Sequence, residues 1–438
     1  MMTTAPQKAA VRPRWLSSTN SVLVLLCLMY AITYIDRVNA STAASIFKKD
    51  LNLTNAQVGL VFSAFAYPYL IFQIIGGWIS DRFGARLTLS VSAIIWATAT
   101  LFTAFVGGLG SMLFARVMLG FGEGATFPTA TRAMSDWTAE GKRGFAQGIT
   151  HSSARLGNAI TPPLVAWLIA LVTWRGSFMV LGIVSLVWAV VWLWYFRDDP
   201  SQHRGITSEE LEILPRYALR KQRKNDPVPW TRLTLRMLPV TAVYFCYGWT
   251  LWLYLAWIPM FFLHNYKLDL KTSALFSGGV FFGGVVGDAL GGIASDYLFR
   301  KTRNLDRARR DLVIVGFLGS LAFMGPILFL HNVKLAALFL SIAFFFSEFT
   351  IGPMWAIPMD IAPRFSGSAS GLMNTGSALA AIVSPLVFGY VIDKTGNWEL
   401  PFLGSIGLLL IGSYMAFWMK PAQALPGGSF TQLEHAAI

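Results

Sequence analysis

Hydrophobic positions along the chain fall into twelve long stretches separated by polar segments. Each stretch is long enough to cross a bilayer as a helix, for which about 20 apolar residues suffice. The stretches are 20–44, 56–79, 88–107, 109–135, 145–171, 176–197, 237–263, 273–295, 311–331, 334–360, 367–392 and 399–419. The pattern therefore predicts an all-α integral membrane protein with twelve transmembrane helices.

A longer polar segment separates the first six stretches from the last six. The predicted parts are a cytoplasmic N-terminal tail (1–18), an N-terminal six-helix bundle (19–197), a cytoplasmic linker (198–234), a C-terminal six-helix bundle (235–420) and a cytoplasmic C-terminal tail (421–438). The linker contains a basic run from Arg216 to Lys224, and we expect a short amphipathic helix in it. The first stretch is long, contains Asp36-Arg37 and lacks a small-residue cleavage site, which favours a retained helix over a signal peptide.

Composition agrees with a membrane protein. Of the 438 residues, 55% are hydrophobic and only 13% are charged, which is about half the charged fraction of soluble proteins. A net charge of +13 would suit a nucleic-acid partner, but the cations lie in short runs between apolar stretches, so no nucleic acid is expected. The two cysteines have neither metal-ligand nor disulfide spacing, and no cofactor or metal is expected.

The placement of lysine and arginine predicts the orientation in the membrane. Most of the 35 cationic residues fall in the tails and in the loops on one side. Because cytoplasmic loops are enriched in these residues, we expect both termini in the cytoplasm of a multi-pass protein of the inner or plasma membrane. The exceptions in loops are Lys48, Lys49, Arg175, Lys267, Lys271, Lys334 and Lys394.

Two internal matches relate the two bundles. Gly76-Gly77-Trp-Ile-Ser80-Asp81 ends the second stretch, and Gly291-Gly292-Ile-Ala-Ser295-Asp296 ends the eighth. The fifth and eleventh stretches share the pattern Gly144, Gly148, Pro162 and Gly367, Gly371, Pro385. Parallel six-helix repeats are typical of secondary carriers that bind their substrate near the bilayer midplane.

Several motifs resemble those of a known family. Gly77-x-x-x-Asp81-Arg82-x-Gly84-x-Arg86 and Arg116-x-x-x-Gly120-x-x-x-Gly124 resemble the loop 2–3 and fourth-helix motifs of the major facilitator superfamily. Four more resemble its anion:cation symporter family of sugar-acid and aromatic-acid permeases: Tyr34-Ile-Asp36-Arg37-x-Asn39, Phe62-Ser63-Ala-Phe65-Ala66-x-x-Tyr69, Gly120-x-x-Glu123-x-x-x-Phe127-Pro128 and Thr250-Leu251-Trp252-x-x-x-x-Trp257-x-Pro259. The resemblance covers nearly the whole chain and implies the two-bundle major facilitator fold and import of an organic anion with protons.

Charged residues inside the apolar stretches are candidate functional groups, because each costs about 2.5–3.5 kcal/mol at membrane depth on insertion scales. Adjacent residues on a helix point roughly 100° apart, so Asp36 and Arg37 each need a partner elsewhere; Arg116, Glu123 and Arg155 are candidates. The resemblance implies that Asp36 and Glu123 carry protons. Arg116 and Glu123 are two turns apart on one helix, too far for a direct pair along the axis, so each needs a partner on another helix; protonation of the carboxylates would free Arg116 from at least one of them. The alternative is a purely structural Asp36–Arg116 ion pair.

The resemblance implies that Arg37 binds the substrate carboxylate, for which its planar fork is suited. It implies a hydrogen bond from Tyr69 and places Trp355 and Asn374 at substrate-facing positions. Snorkelling of Arg37 to the outer interface and simple packing of Tyr69 are the alternatives. Trp252 belongs to an aromatic stretch that could line the cavity or pack against lipid.

His151 and Arg155 share one face of the fifth stretch at i,i+4 spacing. Arg155 could bind the other end of a dianion or could pair with Asp288 or Glu348, whose roles stay open. His151 is either a satisfied polar contact or a proton relay.

The loop 2–3 motif suggests a gate. Glycines that allow close helix approach, with charges at a membrane boundary, suit a breakable latch between the bundles. The alternative is a solvated turn. The residues of the predicted gate are Gly77, Asp81, Arg82, Gly84, Arg86 and the repeat counterpart Asp296, the last with Arg300 and Lys301.

The sequence leaves several functional alternatives open. Sodium coupling, exchange, or a sensor that binds without turnover would use the same fold, whereas an enzyme is not expected because no nucleophile motif, metal cluster or phosphate loop occurs. The cavity cations favour an acid, either a hexonate or hexuronate or a benzoate- or phthalate-like aromatic acid. The expected partners are a small organic anion, protons and the lipid bilayer, and the expected state is a monomer.

Overall fold

The computed structural model describes residues 17–53, 55–214, 227–268 and 270–425, which form helices and no strand. Most of the N-terminal tail, the basic run Arg216 to Lys224 and residues 426–438 lie outside the described residues. The α-helices are α1 (Ser18–Asp50), α2 (Asn55–Ala64), α3 (Ala66–Phe83), α4 (Ala85–Thr103), α5 (Leu109–Gly124), α6 (Thr126–Trp137), α7 (Arg143–Tyr195), α8 (Ser208–Ile213), α9 (Trp230–Asn265), α10 (Leu270–Thr302), α11 (Leu312–Met324), α12 (Val333–Glu348), α13 (Ile351–Ile361), α14 (Ser366–Thr395) and α15 (Leu400–Met415).

Nine helical segments in the described part of the chain are long and apolar enough to cross a bilayer. They are Ser18–Ala40, Leu60–Phe83, Ala85–Thr103, Trp167–Tyr195, Trp230–Leu255, Leu275–Thr302, Asp306–Phe329, Val333–Ile361 and Leu400–Trp418. Helices also cover the predicted stretches 109–135, 145–171 and 367–392, which are not among these nine. The stretch 109–135 is divided into α5 and α6, which are 16 and 12 residues long.

Prolines explain why three predicted stretches are each split into two helices. The first helix of each pair ends near a fixed position. α2 ends at Ala64, α5 ends at Gly124, and α12 ends one residue before Phe349. A proline stands four residues after each of these positions and has no N–H to donate to their carbonyl oxygens. The three prolines are Pro68, Pro128 and Pro353.

The two predicted stretches 145–171 and 176–197 are two arms of α7. Val172 and Thr173 leave the helical conformation between them, with φ of 67° at Thr173. The break falls between the two predicted stretches, because Thr173 with its positive φ cannot continue a helix.

Glycines allow close packing between the N-terminal half (residues 17–197) and the C-terminal half (residues 227–425). A methyl group on Gly77 of α3 would lie 2.3 Å from the carbonyl oxygen of Gly367 in α14. On Gly148 of α7 it would lie 2.4 Å from the carbonyl oxygen of Asp288 in α10. Backbone therefore meets backbone at both places, as small residues permit between membrane helices.

Gly148→Ala is expected to destabilise the protein by roughly 1–3 kcal/mol, because the new methyl group must push α7 and α10 apart. Gly278→Ala is the matched control on α10, since a methyl group there meets no atom within 4 Å. Its greater helix propensity should stabilise the protein by about 0.5–1 kcal/mol. Thermal unfolding in detergent should therefore give shifts of opposite sign, and equal shifts would contradict close packing at Gly148.

Candidate functional site

Arg37 lies in an aromatic cage and points into the protein. Its Nε atom is 2.5 Å from Oε2 of Glu123 on α5, whose side chain is fully buried. The guanidinium carbon is 4.8–5.3 Å from four ring centroids, distances at which a cation is attracted to an aromatic face. The rings belong to Tyr34, Phe65, Tyr69 and Phe127. This position does not fit snorkelling to the membrane surface.

Asp36 faces away from Arg37, toward α7. Its side chain accepts a 2.9 Å hydrogen bond from Ser185 Oγ, and the residue is only 1% exposed. Within the described residues, neither Arg116 nor Arg155 lies within 4.0 Å of it. The structural Asp36–Arg116 pair considered from the sequence is therefore absent here, because Asp36 is directed to a helix that the motif does not include.

Arg116 is a buried cation with no carboxylate oxygen within 4.0 Å among the described residues. It is 5% exposed, and in the described part of the chain its nearest aromatic contact is the Phe65 ring, at 5.7 Å. Its Nε atom is buried and donates no hydrogen bond there. Arg116 is about 10 Å from Glu123 along α5, and the arginine that pairs with Glu123 in this structure is Arg37.

A second cluster joins the two halves. Arg155 of α7 donates from Nη2 to Glu348 of α12 at 2.9 Å and to the Tyr247 hydroxyl of α9 at 3.1 Å. The Tyr247 hydroxyl donates in turn to Oε1 of Glu348 at 2.9 Å. Asp288 of α10 lies 3.8 Å from Arg155 Nε. The contact with Glu348 corresponds to one of the two roles expected for Arg155, and binding of a dianion stays a prediction.

An aromatic layer lies between the two clusters. Trp355 Nε1 donates to the Tyr244 hydroxyl at 2.7 Å, and the His151 ring centroid is 4.9 Å from that of Trp355. His151 Nδ1 is 2.9 Å from the carbonyl oxygen of Gln147, which fits a satisfied polar contact.

Two further predicted site residues lie apart from this layer. Asn374 of α14 donates to Gln73 of α3 at 2.8 Å, a contact that crosses between the halves. Trp252 packs partly buried against the core, and its indole N–H finds no acceptor among the described residues.

Two aspartates cap helices of the opposite half. Asp81 of α3 accepts hydrogen bonds from the backbone N–H groups of Gly367 at 3.1 Å and Ser368 at 2.7 Å, at the start of α14. Asp296 of α10 accepts from Gly144 at 2.9 Å and Phe145 at 2.6 Å, at the start of α7. Both carboxylates thus meet free N–H groups and the positive end of a helix dipole. We call this end of the molecule the capped end.

Arginines that the motifs did not indicate support the caps. Arg132 lies 3.3 Å from Asp81, and Arg309 lies 3.2 Å from Asp296 and 2.9 Å from Asp360. Arg143 reaches Asp360 from the other half at 2.9 Å. The expected helpers Arg300 and Lys301 do not pair with Asp296 in the described residues, because a π-helical turn at Asp306–Asp311 brings Arg309 inward. Buried arginines near the repeated aspartates were the signal that could have identified them.

The other residues of the predicted gate stay within the N-terminal half. Arg86 donates from Nη2 to the carbonyl oxygen of Leu193 at 2.7 Å, and its backbone N–H donates to Asp198 at 3.0 Å. Gly84 has φ of 92°, and a methyl group there would lie 2.5 Å from Asp198 Oδ2. Burial raises the pKa of the Asp198 carboxyl. Arg82 is exposed and forms no ion pair within the described ranges.

A cavity of about 220 Å³ lies beside the capped end. Its walls include Thr19, Lys142, Asp296 and Arg300. It does not reach Arg37, Arg116 or Arg155, so it is not the substrate site that the buried arginines suggest.

Comparison with known proteins identifies what this chain resembles. A family model described as the Major Facilitator Superfamily matches residues 26–385. The chain is 47% identical over 407 residues to a probable sulfoacetate transporter of Cupriavidus necator, covering 93% of this chain and 95% of the relative. It is 28% identical to a hexuronate transporter of Bacillus subtilis, covering 93% and 96%. It is 30% identical to a D-galactonate transporter of Escherichia coli, covering 90% and 94%.

Solved structures confirm the fold that the motifs implied. The proton:xylose symporter XylE with a bound sugar gives a TM-score of 0.73 at 16% identity, covering 93% of this chain and 98% of that one. The transporter FucP in the outward conformation gives 0.69 at 15% identity, covering 92% and 99%. At these identities the likeness concerns the fold alone.

Asp81→Asn and Asp296→Asn should each loosen the capped end, because hydrogen bonds to a charged acceptor are worth roughly 1.5–3 kcal/mol. We would place a cysteine at Ser135, whose hydroxyl is 3.0 Å from that of Ser366 across the halves, in a chain with Cys27→Ser and Cys246→Ser. Alkylation of that cysteine should accelerate by roughly tenfold in either variant. Arg82→Gln is the control, and an equal acceleration there would show that the caps are not the latch.

Proposed function

Since the chain belongs to the major facilitator superfamily, we propose that it imports a small organic anion together with protons by alternating access. The superfamily consists of transporters, so the chain is a transporter and not an enzyme. We also propose twelve membrane spans with both termini in the cytoplasm, a location in the inner membrane, and a monomeric state. The predicted parts 19–197 and 235–420 then serve as the two moving bundles.

The observation that carries the proposal is the Arg37–Glu123 pair inside the aromatic cage. In this structure the Glu123 carboxylate is paired with the Arg37 guanidinium, which is the group that would bind a substrate anion. Protonation of Glu123 removes its charge and therefore frees Arg37, so proton binding favours anion binding at the same place. By linkage, the bound anion favours the protonated carboxyl to the same degree.

The charge balance of this site favours a dianion. When Asp36 and Glu123 are ionised, their two negative charges balance the two positive charges of Arg37 and Arg116. With both carboxyls protonated, the two guanidiniums are left with two positive charges, and both lie within 6 Å of the Phe65 ring. Because uncompensated buried charge is costly, a substrate with two anionic groups completes the site better than one with a single carboxylate.

This balance supports a sulfoacetate-like substrate, a short acid with a carboxylate and a sulfonate. The relative that is 47% identical is a probable sulfoacetate transporter, whereas those named for hexuronate and D-galactonate are 28% and 30% identical. The sugar acids and aromatic acids expected from the motifs become the comparison substrates. Tyr69, Asn374, Trp355, His151 and Trp252 remain proposed contacts of the bound anion.

The proposed cycle uses the caps as the inner gate. Anion and protons enter while the capped end is closed, since Asp81 and Asp296 then tie each half to a helix of the other. Binding in the centre draws the halves together at the outer side, and the caps separate. Low proton activity in the cytoplasm then discharges Glu123 and Asp36. Arg37 rebinds Glu123 and releases the anion.

Uptake into proteoliposomes tests the proposal. Sulfoacetate should accumulate under an inward proton gradient without sodium and should outcompete galactonate, hexuronate and benzoate. Arg37→Ala should abolish uptake, because it removes the anion's donor. Glu123→Gln should retain exchange but lose accumulation, because glutamine cannot release a proton.

Arg175→Ala provides a matched arginine control, since Arg175 is partly exposed and paired with Asp50, and it should transport as the wild type does. If accumulation requires sodium, then sodium and not the proton is the coupling ion. Binding of sulfoacetate with no movement under any gradient would instead favour a sensor.

A further inference from the structure

The cluster of Arg155, Tyr247, Asp288 and Glu348 contains two carboxyl groups but one guanidinium. Asp288 and Glu348 are both 0% exposed. If both were ionised, the cluster would carry one uncompensated negative charge, and such a buried charge costs several kcal/mol. Neither oxygen of Asp288 receives a hydrogen bond from the described residues. The neutral arrangement is therefore a charged Arg155–Glu348 pair beside an Asp288 that holds a proton.

Glu348 occupies the same place in the C-terminal half that Glu123 occupies in the N-terminal half. Each glutamate stands five residues before the proline that breaks its helix, Pro353 or Pro128. Each therefore lies at the C-terminal end of a helix, where the negative end of the helix dipole disfavours a carboxylate. Each is also fully buried and lies within 3 Å of the guanidinium of an arginine from another helix.

One difference sets the two glutamates apart. Arg37 and Glu123 both belong to the N-terminal half, whereas Arg155 reaches Glu348 across the boundary between the halves. When the halves move, the Arg155–Glu348 distance is free to change in a way that the Arg37–Glu123 distance is not. The protonation of Glu348 is therefore linked to the conformation of the carrier.

We propose that Glu348 is a third proton carrier beside Asp36 and Glu123, which takes up a proton when Arg155 withdraws and releases it when Arg155 returns. The inference rests on the proposed symport function and adds one proton to its stoichiometry. The step forms an O–H bond between the Glu348 carboxylate and a proton from water on the open side. The same bond breaks toward the other side after the halves have moved, and Asp288 keeps its own proton throughout.

Among the described residues around Glu348, Arg155 is the one cation close enough to stabilise its ionised form. Tyr247 donates a hydrogen bond to it, and Tyr34 lies with its ring centroid 5.7 Å from the Arg155 guanidinium. The titratable and charged groups of the surrounding helices are Tyr34 of α1, His151 and Arg155 of α7, Tyr244, Tyr247 and Tyr254 of α9, and Asp288 of α10. His151 faces the aromatic layer through Trp355 and not the carboxyl pair.

The test is the number of protons that accompany each substrate molecule, measured in proteoliposomes from the sulfoacetate gradient that halts net flux at a set pH gradient and zero membrane potential. The wild type should move three protons, from Asp36, Glu123 and Glu348. Glu348→Gln should move two. At one pH unit and no potential, the limiting accumulation should then fall by about tenfold, because each coupled proton contributes a factor of ten.

Asp288→Asn separates the two carboxyl groups of the cluster. Asparagine resembles a protonated aspartate, so the proton number should remain three in this variant even if the rate changes. A fall to two in Asp288→Asn, with three retained in Glu348→Gln, would assign the proton to Asp288 and overturn the proposal for Glu348.

If either variant fails to fold, the proton number of the wild type still tests the proposal. A wild-type proton number of two leaves proton symport intact and overturns a role for Glu348. The absence of any proton-driven uptake is a separate result, because it overturns the proposed function itself. Three protons with one dianion also predict that an inside-negative potential accelerates uptake at equal pH.

Discussion

A buried charge in an apolar interior must find a partner, and this requirement organises the molecule. Taking an ion out of water costs several kcal/mol, and a close counter-ion offsets that cost only with good geometry. Arg37 with Glu123 and Arg155 with Glu348 meet the requirement by joining helices that are distant in the sequence. The same requirement makes the pairs responsive, because a proton or a substrate anion can replace one member.

The internal repeat gives the molecule two aspartate caps and two buried glutamates, and the members of each pair differ in their partners. Asp81 and Asp296 cap helices of opposite halves with nearly the same geometry, although their supporting arginines come from unrelated positions. Glu123 and Glu348 share their place before a proline, but one pairs within its half and the other across the boundary. The two halves therefore share the positions of these carboxylates and differ in the partners that the carboxylates contact.

The sequence predicted the helices well because hydrophobic length is a local property, and the helix breaks coincide with prolines whose effect is also local. Family motifs indicated Asp36, Arg37, Arg116 and Glu123, and the structure places all four in the interior. Partner choice was less predictable, because it depends on how each helix is rotated about its axis. Asp36 therefore meets Ser185 and not Arg116, and Arg309 reaches Asp296 only through a π-helical turn.

The two aspartate caps attach the halves at two separate points. At the same end Arg143 reaches Asp360 and Ser135 faces Ser366 across the boundary. Each cap needs its carboxylate within hydrogen-bond distance of two backbone N–H groups, so a separation of a few ångströms breaks both of its hydrogen bonds together. Opening of this end is therefore abrupt and not gradual.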